Sequence, residues 1–406
     1  MPNTVARTIL LGAILSFAVF VDACAEPLTP TQTKWKTLSD QGQQSFSNGD
    51  YATAEHYFLN ALDSLRSSDA TSPQYRQTLV LLTRTLLLEN YYGTAEAFYA
   101  KLRKLIHVRS ATKLNCEFAI NLDDLADTYE LKGNSLRDPL YLEHALELRL
   151  AVSGFAHPKC ADTLRELANL YFGYYQYSKA ASILETLSSR EEADLLHVKD
   201  RTALDASTLT AWHDRSALAM NYFGAKAYLK ADRTFKDLLL KVPSKTVHPE
   251  LKADICSQLA SMYLEQKKYG QAEKFCRAAI SYDFRRSSVP MPFFDPLTFD
   301  YLILGSILAR NGHNSDAEHY LRTTVSLADS RYGDHPATYL PRKALADFLR
   351  QHNRLQEADL LASKNQVYLL KYPTLADERL KRHWYISRLP PIEMTLKPKL
   401  TKRPSS

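Results

Sequence analysis

A small residue returns about every 42 positions along this 406-residue chain, each time inside an apolar pattern of helical spacing. The positions are Gly42, Thr83, Ala126, Ala168, Ala219, Ala260, Gly305 and Ala346, at steps of 41, 43, 42, 51, 41, 45 and 41. Three residues later stand Ser45, Leu86, Tyr129, Tyr171, Tyr222, Tyr263, Leu308 and Leu349. A second ladder keeps the same period: Ala54, Ala95, Ala145, Ala180, Ala231, Ala272, Ala317 and Ala358. Four residues beyond these come Phe58, Tyr99, Arg149, Leu184, Phe235, Cys276, Leu321 and Ala362. Two ladders in step mean one repeated unit, and a repeat period in this range is the mark of a stacked array.

Twelve residues separate the two small positions in seven of the eight units. Helices joined by a short polar turn, such as Asn48-Gly49-Asp50 or Gln266-Lys267-Lys268, fold back as an αα-hairpin. Alanine or glycine at the crossing lets the backbones approach, and the larger residue one turn later fills the space beside it. A lone hairpin leaves apolar surface uncovered and must stack on its neighbours. The expectation is an all-α, right-handed α-solenoid of about eight helical hairpins over residues 33–370, with a candidate subdivision near 190–208, where the link between units four and five lengthens. Unit three departs from the pattern. Its turn carries the extra stretch "NSLRDPL" (Asn134 to Leu140), and Arg149 stands where a large apolar residue is expected.

The order of small residue, Tyr, turn, Tyr, Ala, aromatic and Ala in "LASMYLEQKKYGQAEKFCRAAI" (Leu259 to Ile280) resembles the tetratricopeptide repeat (TPR). The His-Pro entries at His157-Pro158, His248-Pro249 and His335-Pro336, with the longer period, resemble the variant found in kinesin light chains. Asp295-Pro296 takes the same place in unit seven. Proline is tolerated in the first helical turn and holds the residue before it extended, so these pairs read as helix entries and loop packing, not as metal ligands. The resemblance implies a fold, and a fold of this kind hosts many partners. It also implies that the exposed face of each first helix lines a concave groove for peptides.

At the N-terminus, Arg7 precedes an apolar run from Thr8 to Val21 that ends at Ala23-Cys24-Ala25. Basic, apolar and small segments in that order read as a cleavable secretory signal over residues 1–25. The chain is then expected in the periplasm or secreted; the alternative is a lipoprotein anchored at Cys24. At the other end, residues 371–406 form a basic, proline-containing tail. After residue 378 there are eight basic residues against Glu393 alone, a net of +7 in a chain of net +6, so the repeats are close to neutral. Such a tail reads as a solvated extension able to contact an acidic surface or membrane, with no nucleic acid expected as partner.

Phosphate-cradling, dinucleotide, zinc-protease and nucleophile-elbow motifs are all missing from the sequence, as is C-x-x-C, and glycine is scarce at 12 residues. No cofactor, metal or catalytic residue is expected, and the chain reads as non-enzymatic. Four cysteines follow the signal: Cys116, Cys160, Cys256 and Cys276. Cys256 and Cys276 fall on inward positions of one hairpin and are a candidate disulfide; the alternative is two small buried hydrophobes.

The groove positions flank the packing residue of each first helix. In units four and five they read Arg165, Asn169, Phe172, then His213, Ser216, Met220 and Phe223. Unit two offers Arg84 and Leu87, and unit three an acidic set, Asp123, Asp127 and Glu130, read as a solvated face. An Asn side chain can both donate to and accept from a peptide backbone, and Phe and Met make adaptable pockets. The functional expectation is a protein–protein interaction scaffold of the cell envelope or extracellular space that binds a peptide or partner segment. The alternatives are a structural or assembly subunit with no specific ligand, and, more weakly, an enzyme with an unrecognised site.

Overall fold

The computed structural model describes residues 29–65, 72–107, 116–195, 201–243, 249–283, 296–333, 335–379 and 382–383. The signal region, His248, Asp295 and the tail beyond His383 lie outside the described residues, as does the side chain of Cys116. The described residues form sixteen α-helices and no strand, arranged as eight consecutive hairpins. Hairpin 1 is α1 (Pro30–Ser47) with α2 (Tyr51–Ser64), and hairpin 2 is α3 (Pro73–Leu88) with α4 (Tyr92–His107). Hairpin 3 pairs α5 (Cys116–Leu136) with α6 (Pro139–Ser153), and hairpin 4 pairs α7 (Cys160–Gly173) with α8 (Tyr177–Leu195). Then come α9 (Arg201–Gly224) and α10 (Tyr228–Lys241), α11 (Pro249–Glu265) and α12 (Tyr269–Asp283), α13 (Pro296–Arg310) and α14 (Asn314–Tyr332), and α15 (Tyr339–Gln351) and α16 (Leu355–Lys371).

The chain divides into two compact units within hairpin 3. One holds the residues up to Lys132 with His144–His157, and the other holds Gly133–Glu143 with everything from Pro158 onward. The stretch near 190–208 lies wholly in the second unit. In the first unit, hairpins 1 and 2 touch through their first helices as well as through α2 and α3. In the second, the first helices of hairpins 5, 6, 7 and 8 touch in succession, the alternate-neighbour packing of a repeat array.

Local chemistry sets the helix ends. Thr29 and Gln32 form a capping box on α1, Asp50 accepts the Thr53 N–H at the start of α2, and Ser72 accepts the Tyr75 N–H on α3. Pro249 and Pro296 open α11 and α13 directly. After His335, a 3-10 turn (Pro336–Thr338) leads into α15, and His335 Nδ1 accepts the Ala337 N–H at 3.3 Å. His157 is held extended before Pro158, and α7 starts two residues later.

All eight hairpin turns share one backbone device. Gly49, Asn90, Arg137, Tyr175, Lys226, Lys267, Gly312 and Asn353 each have φ between +54° and +79°. The N–H of the following residue bonds back to the helix, as in Asp50 to Ser45 O, Lys268 to Tyr263 O and Arg354 to Leu349 O. This is the left-handed cap of a Schellman motif, and it satisfies carbonyls that the helix end leaves open. Only two of the eight are glycine, so the other six carry the steric cost of the left-handed region.

The crossings are tight. Every small ladder position is buried: Gly42, Thr83, Ala126, Ala168, Ala219, Ala260, Gly305 and Ala346 on the first helices. On the second helices Ala54, Ala95, Ala145, Ala180, Ala231, Ala272, Ala317 and Ala358 are buried too. A Cβ on Gly42 would sit 2.5 Å from Cε1 of Phe58, and one on Gly305 2.8 Å from Cγ of Leu321. In hairpins 4, 5 and 6 the tyrosine one turn later also ties its hairpin to the one before. Tyr171 donates to Glu143, Tyr222 to Glu185 and Tyr263 to Asp232, each carboxylate lying on the preceding second helix.

Two expectations are corrected here. Cys256 and Cys276 are both buried thiols, not a disulfide; Cys276 Sγ donates to the carbonyl of Asp300 at 3.2 Å. The acidic residues of unit three are not a solvated face. Arg149 is wholly buried and grips Glu130 through both terminal nitrogens at 2.8 Å and Asp127 at 2.6 Å, with Asp123 3.7 Å from Nε. Asp123 also pairs with His157 at 3.1 Å. Burial opposes the Arg149 charge, but the bonds to Glu130 and Asp127 outweigh it and hold the guanidinium pKa above its ordinary value. The arginine that breaks the apolar pattern and the partly exposed acids beside it are one charge cluster.

Gly42→Ala is expected to destabilise the fold by about 1–3 kcal/mol through overpacking on Phe58. Lys226→Gly, relieving a left-handed lysine at φ 61°, is expected to raise stability by up to about 1 kcal/mol. Arg149→Leu restores the apolar pattern but strands three carboxylates. It is expected to cost about 2–4 kcal/mol, less than a fully buried pair because Asp127 keeps 44 % of its side chain exposed. Urea unfolding of each variant gives the three signs, and an unchanged midpoint for Gly42→Ala would count against the close crossing.

Candidate functional site

The first helices of hairpins 6, 7 and 8 line a groove of about 760 Å³. Ser261 and Leu264 come from α11, Ser306, Ala309 and Arg310 from α13, and Leu340, Lys343, Ala344, Asp347 and Phe348 from α15. Lys267 and Tyr269 bound it at the turn of hairpin 6. Ser261, Ser306 and Asp347 each directly follow the packing residue of their helix, and Leu264 and Ala309 come three positions later. These are the same places that Asn169 and Phe172 hold in unit four. The residues here are mostly small, which leaves the groove open. Lys343 is paired with Asp347 at 3.0 Å. Among the described residues, Lys267 and Arg310 have no carboxylate within ion-pair distance.

The groove has one wall that no repeat provides. After α16 the chain makes a 3-10 turn (Pro373–Ala376) that buries Leu375, and it then reaches back to hairpins 4, 5 and 6. Glu378 and Arg382 of this segment line the groove. Arg382 donates from Nη1 to the Gly224 carbonyl at 2.7 Å and from Nη2 to the Phe223 carbonyl at 2.9 Å. These carbonyls lie at the C-terminus of α9, where positive charge is favoured, and that of Phe223 also accepts the Lys226 N–H at 2.9 Å. Nε of Arg382 pairs with Glu265 at 3.1 Å, and the guanidinium lies 5.6 Å from the centre of the Phe223 ring. His383 is 1 % exposed. Its ring meets Phe172 at 4.5 Å, Tyr175 at 4.9 Å and Tyr177 at 5.8 Å, and its Nδ1 is 2.7 Å from the Tyr177 hydroxyl. Gly224 makes the seat possible, since a Cβ there would fall 2.4 Å from the Tyr177 ring.

The residues expected to bind a partner in units four and five are placed differently from one another. Phe223 is fully buried, with the Arg382 guanidinium against its ring, and Ser216 is 7 % exposed. Arg165 is occupied: it bonds Asp162 at 2.8 Å, Glu191 at 2.7 Å and Asp214 at 2.8 Å, joining α7, α8 and α9. Phe172 is covered by His383, and Met220 packs partly buried against the core. Asn169 and His213 are exposed. In unit two, Leu87 is wholly buried and Arg84 pairs with Asp124 at 2.6 Å. In the tail, expected as a solvated extension, Leu375, Arg382 and His383 are packed on the repeats.

The Glu191 carboxyl is pushed up to about 8, first by burial, then by the hydrogen bond and negative charge of Asp214, against the pull of Arg165. Its proton is therefore held more tightly in the folded chain than in the unfolded one, where the ordinary value is 4.5. The stability this adds is present below that value and is lost as pH rises through about 8. Unfolding midpoints are expected to fall between pH 5 and 8.5, and Glu191→Gln is expected to flatten the fall and to be the more stable form at the alkaline end.

No protein-family model matches the chain, and no curated protein matches it. Among solved structures it is similar to a tetratricopeptide repeat protein from Parabacteroides merdae, at 16 % identity over 78 % of this chain and 99 % of that one, with a TM-score of 0.31. It is also similar to the nearly identical TPR-like repeats of a putative kinesin light chain from Podospora anserina, at 14 % identity over 52 % and 95 %, with a TM-score of 0.32. A third is the apo form of RapI, at 12 % identity over 84 % and 99 %, with a TM-score of 0.43. Those overlaps are partial, and the repeat assignment rests on the hairpins, crossings and turns described above.

Proposed function

We propose that this chain is a non-enzymatic scaffold for protein–protein interaction in the cell envelope or extracellular space, and that it holds an extended peptide or partner segment in the groove along hairpins 6 to 8. The observation that carries this reading is the groove's combination of small floor and unspent charge. Ser261, Ser306, Ala309 and Ala344 leave room for a main chain, while Lys267 and Arg310 stand ready for carboxylates. Desolvated side chains near the centre of such a site usually dominate its affinity. The expected ligand is an acidic segment, bound by backbone contacts over the small residues and by charge at the two cations. Export rests on the basic, apolar and small order of residues 1–25.

Panning a displayed random-peptide library against the mature chain is expected to enrich acidic sequences. Lys267→Glu with Arg310→Glu, both exposed, should weaken their capture at least roughly tenfold, about 1.4 kcal/mol, with the unfolding midpoint unchanged. Capture that survives this charge reversal would remove the groove assignment. N-terminal sequencing of the protein from its native source is expected to begin after Ala25; a lipid-bearing start at Cys24 would favour the anchored form, and an intact Met1 would refute export by either route.

A further inference from the structure

We infer that the seat on hairpins 4 to 6 is an exchangeable recognition site for an arginine followed by a planar ring, held in cis by Arg382 and His383. The chain's own C-terminal segment then competes with a partner segment that carries the same pair. This deepens the peptide-binding reading and rests on it.

The seat has the parts of a binding pocket, built at the edge of the repeat core to which Tyr177 and Phe223 belong. Phe172, Tyr175 and Tyr177 present three ring faces to one imidazole, and the Tyr177 hydroxyl fixes its orientation. Next to them, two helix-terminal carbonyls, one carboxylate and one aromatic face converge on a single guanidinium. Fork-shaped donors on carbonyls and carboxylate, with cation–π contact beneath, are a specific arrangement for arginine that a lysine cannot reproduce. Arg382 and His383 make these polar contacts across 117 to 206 positions of sequence.

The segment is also placed to be released. Before the seat, Arg379 keeps 78 % of its side chain exposed and bonds its neighbour Asp377. Arg382 itself keeps 24 % of its side chain exposed. A segment attached by a short stretch to α16 has an effective concentration on the order of millimolar at its own seat, so a partner must exceed that or must find the segment already open. Such local openings lie at the low end of the stability range of a fold. Because Glu378 and Arg382 also wall the groove of hairpins 6 to 8, release of the segment widens that groove.

The test uses the full chain and a labelled synthetic peptide of residues Asp377–Arg388, followed by fluorescence polarisation. Wild type is expected to bind it weakly because the seat is filled. Arg382→Ala with His383→Ala should bind at least tenfold more tightly, and Arg382→Ala alone serves if the double variant unfolds. Adding Tyr177→Phe and Glu265→Gln to the released variant should abolish the gain, and a peptide with both residues replaced by alanine should not bind. Released chain of unchanged helical circular dichroism that binds no better than wild type overturns the inference, as does binding indifferent to Tyr177 and Glu265. Lys267→Glu with Arg310→Glu leaves the seat intact. If acidic library peptides still depend on that pair while the released variant gains nothing, the groove reading stands and the exchangeable seat alone falls.

Discussion

The structure depends on one close approach, repeated eight times: two helices crossing with at most a small side chain on either side. Where Gly42 meets Phe58 and Gly305 meets Leu321 there is no room even for a methyl group. A crossing so near brings the helix ends within reach of a turn of a few residues, and a turn so short requires a left-handed residue to reverse the chain. The two requirements enforce each other. Lysine, arginine and tyrosine accept a disfavoured backbone at Lys226, Arg137 and Tyr175 because the crossing beyond them leaves no alternative. The tyrosine that fills the gap beside the small residue then donates to a carboxylate on the previous hairpin. Packing within a hairpin and registry between hairpins thus share one residue.

What was legible in the sequence follows from range. In seven of the eight units the small residues lie twelve apart and face each other across a local crossing, so their spacing alone places those hairpins. The left-handed turns were half visible: Gly49, Gly312, Asn90 and Asn353 are the residues such a position favours, while Lys226 and Lys267 carry no signal of it. Arg149 was visible as a break in the pattern, and Asp123, Asp127 and Glu130 as an acidic face. Only the fold shows that the break and the face neutralise each other, because they lie on different helices of one hairpin.

The groove followed the expected positions on the helices but not the expected units. Aromatic and charged side chains drew attention to hairpins 4 and 5. There Arg165 is spent on three acidic side chains, and Phe172 and Phe223 already serve the C-terminal segment. The open surface lies where the same positions hold serine and alanine. In this chain open space is marked by small side chains, while Arg165, Phe172 and Phe223 already have partners within the molecule. No local pattern reveals the occupant, since Tyr177 and His383 are 206 residues apart.

That separation has a consequence for the order of events as the chain is made. Hairpins 4 to 6 need only neighbours a few tens of residues away, and such local contacts form early. His383 follows all eight hairpins in sequence, so the ring faces of Phe172, Tyr175 and Tyr177 stay open to water from the time hairpin 4 folds until the final segment arrives. A nascent chain therefore passes through a stage with folded repeats and a vacant aromatic seat. During that interval the seat is accessible to whatever escorts the chain, and amide exchange at the turn of hairpin 4 becomes a clock for completion of the molecule.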